Sequence, residues 1–171
     1  MASEAQQNVS IKICAKDDAT DALINELELI EQRTMKNPWS AQSLKECFDD
    51  AYKMLVIFKG KEAAGFAVTY NTKVTTDLLT IAIDPKFQGQ GLGRFLLSQT
   101  LKEALTNSAD ECFLEVRESN IRAQNLYESL GFEKVGVRKD YYEATGDTPK
   151  ENAYTMCLSS IQKAIEQNLI K

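Results

Sequence analysis

Three glycines at alternate positions within residues 87–94 separate two segments of different character. The segment before them, residues 78–83, is apolar and ends at Asp84-Pro85, where proline stops a strand from continuing. The segment after them, residues 93–108, repeats apolar residues at the spacing of an amphipathic helix. The chain is therefore predicted to run here from a strand through a tight glycine loop into a helix.

The glycine loop has the chemistry of a phosphate site. Glycine lacks a Cβ atom, so a ligand can approach the main-chain N–H groups, to which the N-terminus of the next helix adds further donors. A Walker A loop is excluded because Gly93 is followed by Arg94 and Phe95 rather than by Lys-Ser/Thr. The spacing G-x-G-x-G also differs from the dinucleotide fingerprint. On spacing alone, a connector that binds nothing remains the alternative.

The remaining pattern predicts a mixed sheet. Period-two or apolar runs predict strands, and period-3.6 runs predict helices, the first of them capped by Asp17 or Asp18. We expect an α/β fold of the α+β mixed-sheet kind, with helices on both faces, in a single domain 1–171 with its core at about 9–158 and an extension at 159–171. Strands are predicted at residues 9–13, 54–58, 63–70, 77–84, 112–116, 132–142 and 153–158, and helices from 17 or 18 to 30, after Ser40, and at 93–108, 121–130 and 161–170.

The composition excludes several kinds of catalytic group and binding site. The chain contains no histidine, which removes Ser-His and Cys-His dyads, the usual general base and the common zinc sites. Its four cysteines form no C-x-x-C pair, so no metal is predicted. A net charge of -5 argues against nucleic acid and suits a basic peptide partner, although acidity also serves solubility. Acid–base chemistry is left to carboxylates, tyrosines, lysines or cysteines.

Compartment is predicted from what the sequence does not contain. Residues 1–7 have neither a basic nor an apolar stretch, so neither a secretory signal nor a membrane anchor is expected there. No apolar run approaches the length that spans a membrane. We therefore predict a cytoplasmic protein with reduced cysteines and no membrane partner.

The glycine loop resembles the signature Q/R-x-x-G-x-G/A of the GNAT acyl-CoA N-acyltransferase family, which Gln88, Gly91 and Gly93 match. The resemblance implies that the loop holds the pyrophosphate of acetyl-CoA. It also implies that the preceding strand splays from its neighbour and that its residues line a gap for the pantetheine arm, with a main-chain N–H near Ile83 steadying an oxyanion. The implied cofactor-binding residues are Ile81, Ala82, Ile83, Gln88, Gly89, Gln90, Gly91, Leu92, Gly93 and Arg94.

Residues 113–132 resemble the branch of that family that acetylates the N-terminal alanine of ribosomal protein S18. The match implies Glu115 as general base, Tyr127 as general acid and Asn120 as a cofactor contact. A carboxylate is sufficient as base because a peptide α-amine has a pKa near 8. Each residue also has an ordinary explanation: Glu115 paired with Arg117 or a lysine, Tyr127 in the core, and Asn120 as a helix cap.

A third resemblance to the same branch lies at I-E-Q-R and P-W-S, within residues 30–33 and 38–40. It implies that Met35, Trp39, Tyr141 and Tyr142 border the entry of the acceptor peptide. Trp39 alternatively anchors the helical region to the sheet. Asn37, Glu143 and the residues after Ser159 depart from the pattern, which loosens the assignment of the peptide.

These observations predict an enzyme that transfers an acetyl group from acetyl-CoA to a protein N-terminal α-amine, with the basic N-terminus of ribosomal protein S18 as the implied partner. One alternative keeps the chemistry with another N-terminus, a lysine or a small amine as acceptor. The other alternative is a non-catalytic acetyl-CoA-binding module. The oligomeric state is open, and a monomer is compatible with the sequence.

Overall fold

The computed structural model describes residues 8–171, so the prediction about a signal or anchor in residues 1–7 lies outside the described residues. The predicted strands and helices are confirmed, with boundaries shifted by a few residues. The strands are β1 (Val9–Cys14), β2 (Tyr52–Lys59), β3 (Glu62–Asn71), β4 (Thr75–Ile83), β5 (Glu111–Arg117), β6 (Glu133–Tyr142) and β7 (Glu151–Leu158), and the helices are α1 (Asp21–Thr34), α2 (Ala41–Glu46), α3 (Leu92–Thr106), α4 (Ile121–Ser129) and α5 (Ile161–Glu166).

The sheet has seven strands in the order β1-β2-β3-β4-β5-β7-β6. The pairs β1–β2, β2–β3, β5–β7 and β6–β7 are antiparallel, whereas β4 and β5 run parallel. The predicted mixed sheet is thereby confirmed. Two compact units divide the chain: the first comprises the residues up to Tyr70 and Thr80–Thr100, the second Asn71–Leu79 and Leu101–Lys171. The single domain stays a prediction.

The first unit is built around α1. Its buried residues Ile24, Leu27 and Ile30 recur at helical spacing and pack in one apolar cluster with side chains of α2, β2 and β3. The predicted cap at Asp17 or Asp18 is wrong. Thr20 caps α1 by accepting a hydrogen bond from the Leu23 N–H (3.2 Å), because Asp18 lies in a separate short 3-10 turn and its carboxylate accepts from the Ala15 N–H (2.9 Å).

In the second unit α4 ends as the sequence predicts. Gly131 has φ +97°, a left-handed conformation that a side chain disfavours. The N–H of Phe132 donates to the Tyr127 carbonyl (3.1 Å), and the two rings lie 5.7 Å apart. Phe132 therefore packs back on the last turn of α4 and fixes where β6 begins.

The C-terminal extension is part of the second unit. Ile161, Ala164 and Ile170 are buried, and α5 stops at Glu166 rather than continuing to residue 170 as predicted. The Asp110 carboxylate accepts from the Ser160 hydroxyl (2.9 Å) and the Gln162 N–H (2.8 Å). The extension thus adds apolar core and is tied to the turn before β5.

Candidate active site

The glycine loop follows β4 through a 3-10 turn, Pro85–Phe87. Asp84, only 5% exposed, fixes the entry to this turn. Its carboxylate accepts from the Lys86 N–H (3.0 Å) and forms an ion pair with Arg33 at the end of α1 (2.8 Å). The start of the loop is therefore anchored on α1 as well as on β4.

Gly89 and Gly91 adopt left-handed conformations, with φ of +75° and +79°. A Cβ atom at either position would meet nothing within 4 Å. The glycines are thus required by the backbone conformation and not by lack of space, and the surroundings of both are open to a ligand. The predicted tight turn is confirmed, while α3 begins at Leu92 and so includes Gly93.

The side chains of the loop are held against their own unit. The Gln88 amide donates to the Ile83 carbonyl (2.8 Å), and the Gln90 oxygen accepts from the Lys59 ammonium (2.7 Å). Lys86 and Lys59 lie over the Phe87 ring, 4.8 and 5.7 Å from its centre. The N–H groups in the first turn of a helix have no partners within it, so the start of α3 presents donors near the ammonium groups of Lys59 and Lys86, of which Lys86 also pairs with Glu62. This arrangement fits a pyrophosphate.

The segment of β4 next to the loop is Ile81, Ala82 and Ile83. Ala82 is buried in the core of the first unit, whereas Ile81 and Ile83 are half-buried. The parallel register with β5 runs from Thr75 opposite Glu111 to Leu78 opposite Leu114. Both strands continue beyond that register, β4 to Ile83 and β5 to Arg117. A pantetheine contact for residues 81–83 stays a prediction.

Glu115 lies on β5, where burial alternates strictly along the strand. Leu114 and Val116 are buried, so Glu115 projects from the opposite face, as the sequence predicts. Its carboxylate pairs with Arg138 of β6 (3.1 Å), the two side chains being 30% and 55% exposed. Arg117, one of the alternative partners, pairs with Glu151 (3.0 Å), and within residues 8–171 Glu115 pairs with an arginine rather than a lysine.

Tyr127 lies on α4 and is 7% exposed. Burial raises the pKa of its phenol well above the usual value, and the nearby Tyr142 phenol and Cys112 thiol act in the same direction. The core contact that the sequence allowed for Tyr127 is therefore confirmed, and the phenol is protonated at neutral pH. A role as proton donor is compatible with that state and stays a prediction.

Asn120 is the N-cap of α4. Its side-chain oxygen accepts from the Ala123 N–H (3.1 Å), which confirms the capping role. The side chain lies on an exposed residue, so capping and a contact with a cofactor do not exclude each other. The contact stays a prediction.

Tyr141 and Tyr142 end β6 and meet edge to face, with ring centres 5.0 Å apart. Arg117 lies over the Tyr142 ring (3.9 Å) and Arg138 over the Tyr141 ring (4.4 Å). Burial raises the pKa of Tyr142 to about 12, against the opposing effect of Arg117. Arg138 thus touches both Glu115 and Tyr141, which brings the predicted base and the predicted tyrosine pair together.

Two residues near Glu115 were not predicted, Arg138 and Asp77. Burial raises the pKa of Asp77, and the Glu115 carboxylate raises it further. Asp77 of β4 stands opposite Phe113 of β5 in the parallel register. Phe113 lies two residues before Glu115 and therefore projects from the same face of β5. Only the register of β4, β5, β7 and β6 reveals these neighbours, and the sequence carries no signal of that register.

Met35 and Trp39 lie in the first unit. Met35 is the C-cap of α1, and both side chains are half-buried and pack against the apolar cluster. The main-chain N–H of Trp39 donates to the Glu31 carboxylate (3.1 Å). The anchoring role of Trp39 is thereby confirmed, and a role in bordering the acceptor stays a prediction.

Within residues 8–171, no three or more Cys, Asp or Glu side chains lie together in an arrangement that could hold a metal ion. Within the same residues, every helix is too short or too polar to cross a bilayer.

Residues 20–132 match the model of the Acetyltransferase (GNAT) family. The chain is 37% identical over 129 residues to the ribosomal protein bS18-alanine N-acetyltransferase of Escherichia coli K12, covering 75% of this chain and 86% of the relative. The crystal structure of the Escherichia coli ribosomal-protein-S18-alanine N-acetyltransferase superposes with a TM-score of 0.79 at 32% identity, over 89% of this chain and 94% of that one.

A GNAT family acetyltransferase from Elizabethkingia anophelis, crystallised with acetyl-CoA bound, superposes with a TM-score of 0.72 over 90% of this chain and 99% of that one. At 18% identity it shows the shared fold alone. The family match covers more than half of the chain, and the curated relative exceeds 30% identity over three quarters of it. This chain therefore belongs to the GNAT acetyltransferase family and is an N-acetyltransferase.

Proposed function

We propose that this enzyme transfers the acetyl group of acetyl-CoA to the N-terminal α-amine of a protein, and that its acceptor is the N-terminal alanine of ribosomal protein S18. The observation that carries the proposal is the 37% identity, over 75% of the chain, to an enzyme named for that reaction. The acidic net charge of -5 agrees with a basic acceptor. Cytoplasmic residence stays a prediction.

Acetyl-CoA would be held through its pyrophosphate by main-chain N–H groups between Gln88 and Arg94. The support is the left-handed backbone at Gly89 and Gly91, the open space around both, and the N-terminus of α3 immediately after them. When bound, acetyl-CoA supplies an acetyl group activated as a thioester. Asn120, exposed at the start of α4, is a further proposed contact.

Glu115 would accept the proton that the acceptor amine loses as it is acetylated. Its carboxylate is partly exposed and, within residues 8–171, forms its ion pair with the more exposed Arg138. Ion pairs of this kind contribute about 0 to 1 kcal/mol. The ammonium group of an incoming peptide can therefore displace Arg138 at little cost and reach the carboxylate.

Tyr127 would donate a hydrogen bond and then its proton to the departing thiolate. Burial raises the pKa of Tyr127, which keeps the phenol protonated but opposes full release of the proton. A thiol has a pKa of about 8.5 and a phenol about 10, so the transfer is already uphill in water. We expect the hydrogen bond to the developing thiolate to carry most of the benefit.

One assay tests the proposal. The enzyme is mixed with acetyl-CoA and a synthetic peptide bearing the S18 N-terminus, and thiol release and peptide mass are followed. We expect stoichiometric thiol and a single acetyl group on the α-amine. If only lysine side chains or polyamines are acetylated, the proposed acceptor is wrong. If acetyl-CoA binds but no amine is acetylated, the proposed catalytic activity is wrong.

A further inference from the structure

Glu31 is a buried carboxyl group that the proposed chemistry does not use. It is 1% exposed, although it lies near the end of α1 next to exposed residues. Carboxylates are rarely buried this deeply unless their oxygens accept hydrogen bonds. Its partners therefore indicate what the side chain is for.

Each oxygen of Glu31 accepts from a different segment of the first unit. Oε1 accepts from the Thr80 hydroxyl of β4 (2.9 Å), and Oε2 accepts from the Trp39 main-chain N–H (3.1 Å). Burial raises the pKa of Glu31, and these two hydrogen bonds act against that shift. The side chain thus bridges β4 to the residues between α1 and α2, which we call the strap (residues 35–40).

Other side chains of α1 fix the surroundings of this bridge. Glu28 accepts from the Ala41 N–H (2.8 Å), just after the strap. Arg33 pairs with Asp84 at the end of β4 (2.8 Å). The strap contains Met35 and Trp39, and Thr80 directly precedes Ile81. Glu31 therefore joins the proposed acceptor border to the strand that is proposed to run beside the acetyl donor.

We propose that Glu31 is a positioning residue for the acceptor, which holds the strap against β4 in the conformation that binds a peptide with a free N-terminal amine. This inference rests on the proposed function. Glu31 contacts neither reactant and sets the affinity for the acceptor through Trp39. The glycine loop has its own anchors, at Asp84 and Ile83, so binding of acetyl-CoA does not depend on Glu31.

The test compares Glu31→Ala, Glu31→Gln and Thr80→Val in the full-length enzyme, with KM for the S18 peptide, KM for acetyl-CoA and kcat measured separately. Glu31→Ala leaves a main-chain N–H without its acceptor, so we expect the peptide KM to rise about tenfold with the acetyl-CoA KM little changed. Glu31→Gln retains one oxygen and one amide for the same two partners and should restore the peptide KM. Thr80→Val should give a smaller rise.

Glu26→Ala is the matched control. Glu26 is also an acidic residue of α1 that accepts from a main-chain N–H, but its partner is Ala63 at the start of β3 (3.1 Å). This control should change the melting temperature and leave the peptide KM unaltered. If Glu31→Ala and Thr80→Val lower only the melting temperature, or raise both KM values equally, the positioning role is wrong.

A wild-type enzyme that turns over no peptide contradicts the proposed function instead. In that event acetyl-CoA affinity and peptide binding are compared by calorimetry in the same variants. Loss of peptide binding in Glu31→Ala but not in Glu26→Ala would still support the positioning role, and equal peptide binding by both variants would overturn it.

Discussion

The glycine loop and the β5–α4 segment differ in whether the main chain or the side chains supply the proposed functional groups. In the loop, the side chains of Gln88 and Gln90 bond within their own unit, and the open surface belongs to the main chain at Gly89 and Gly91. In β5–α4, the main chain is engaged in a strand and a helix, and the functional groups are side chains. Changes in the loop should therefore alter binding of acetyl-CoA, and changes at Glu115 and Tyr127 should alter turnover.

The two proposed proton-transfer groups also differ from each other. Glu115 is partly exposed beside an arginine, whereas Tyr127 is almost fully buried against Phe132. A base must meet a charged amine that arrives from solvent, so exposure suits Glu115. A donor must keep its proton until the thiolate forms, so burial suits Tyr127.

Glu115→Gln should give the largest effect. The amide cannot accept the proton, so we expect kcat to fall about 100- to 1,000-fold with the acetyl-CoA KM unchanged. Steady-state kinetics with the S18 peptide measures both constants. Glu111→Gln, four residues earlier on the same face of β5, is the matched control and should retain full activity. Equal losses in the two variants would make Glu115 a structural residue.

Tyr127→Phe should come next, with kcat about 10- to 100-fold lower. Phenylalanine keeps the packing on Phe132, so the melting temperature should remain unchanged. Because burial raises the pKa of Tyr127, and an acid must be protonated to act, the wild type should show no loss of kcat from this group below pH about 10. Tyr154→Phe, on β7, removes an exposed phenol and serves as control. An unchanged kcat in Tyr127→Phe would refute the acid role.

Gly91→Ala tests the role of the glycine loop in binding acetyl-CoA. Left-handed φ costs a non-glycine residue about 1 to 2 kcal/mol, so the loop should leave its present conformation and the acetyl-CoA affinity should fall about tenfold. Saturating acetyl-CoA should recover most of kcat. Gly146→Ala is the control, since Gly146 also has positive φ and open surroundings but lies between β6 and β7. Similar acetyl-CoA affinities in both variants would mean that the loop binds nothing.

Arg138→Met should have the smallest effect, no more than about threefold on kcat, because an exposed ion pair contributes little. Methionine replaces the aliphatic stem of the side chain and removes the charge beside Glu115 and Tyr141. Kinetics at low and high ionic strength would detect any dependence on that charge. A loss comparable to that of Glu115→Gln would mean that Arg138 takes part in the chemistry.

The strands, helices and turns were predictable because a few neighbouring residues determine where each begins and ends. Proline at 85 ends β4, the glycines set the loop, and Gly131 ends α4. The cap of α1 was mispredicted because Asp18 has competing local partners, the Ala15 N–H and the Lys12 ammonium. Such competition depends on side-chain geometry, which a pattern does not encode.

The long-range contacts were not predictable in this way. Burial of the C-terminal extension depends on Asp110, about fifty residues earlier in the chain. The pairing of Glu115 with Arg138 depends on β7 lying between β5 and β6, which alternation of residues cannot show. The site residues themselves came from family resemblance, and their roles remain proposals that the variants above can test.

The most direct test of the account is calorimetric titration of acetyl-CoA into Gly91→Ala and Glu115→Gln, paired with turnover of the S18 peptide by the same samples. We predict weakened binding with recoverable turnover for Gly91→Ala, and wild-type binding with almost no turnover for Glu115→Gln. Wild-type binding by Gly91→Ala together with full turnover by Glu115→Gln would contradict the division of roles between the loop and the strand.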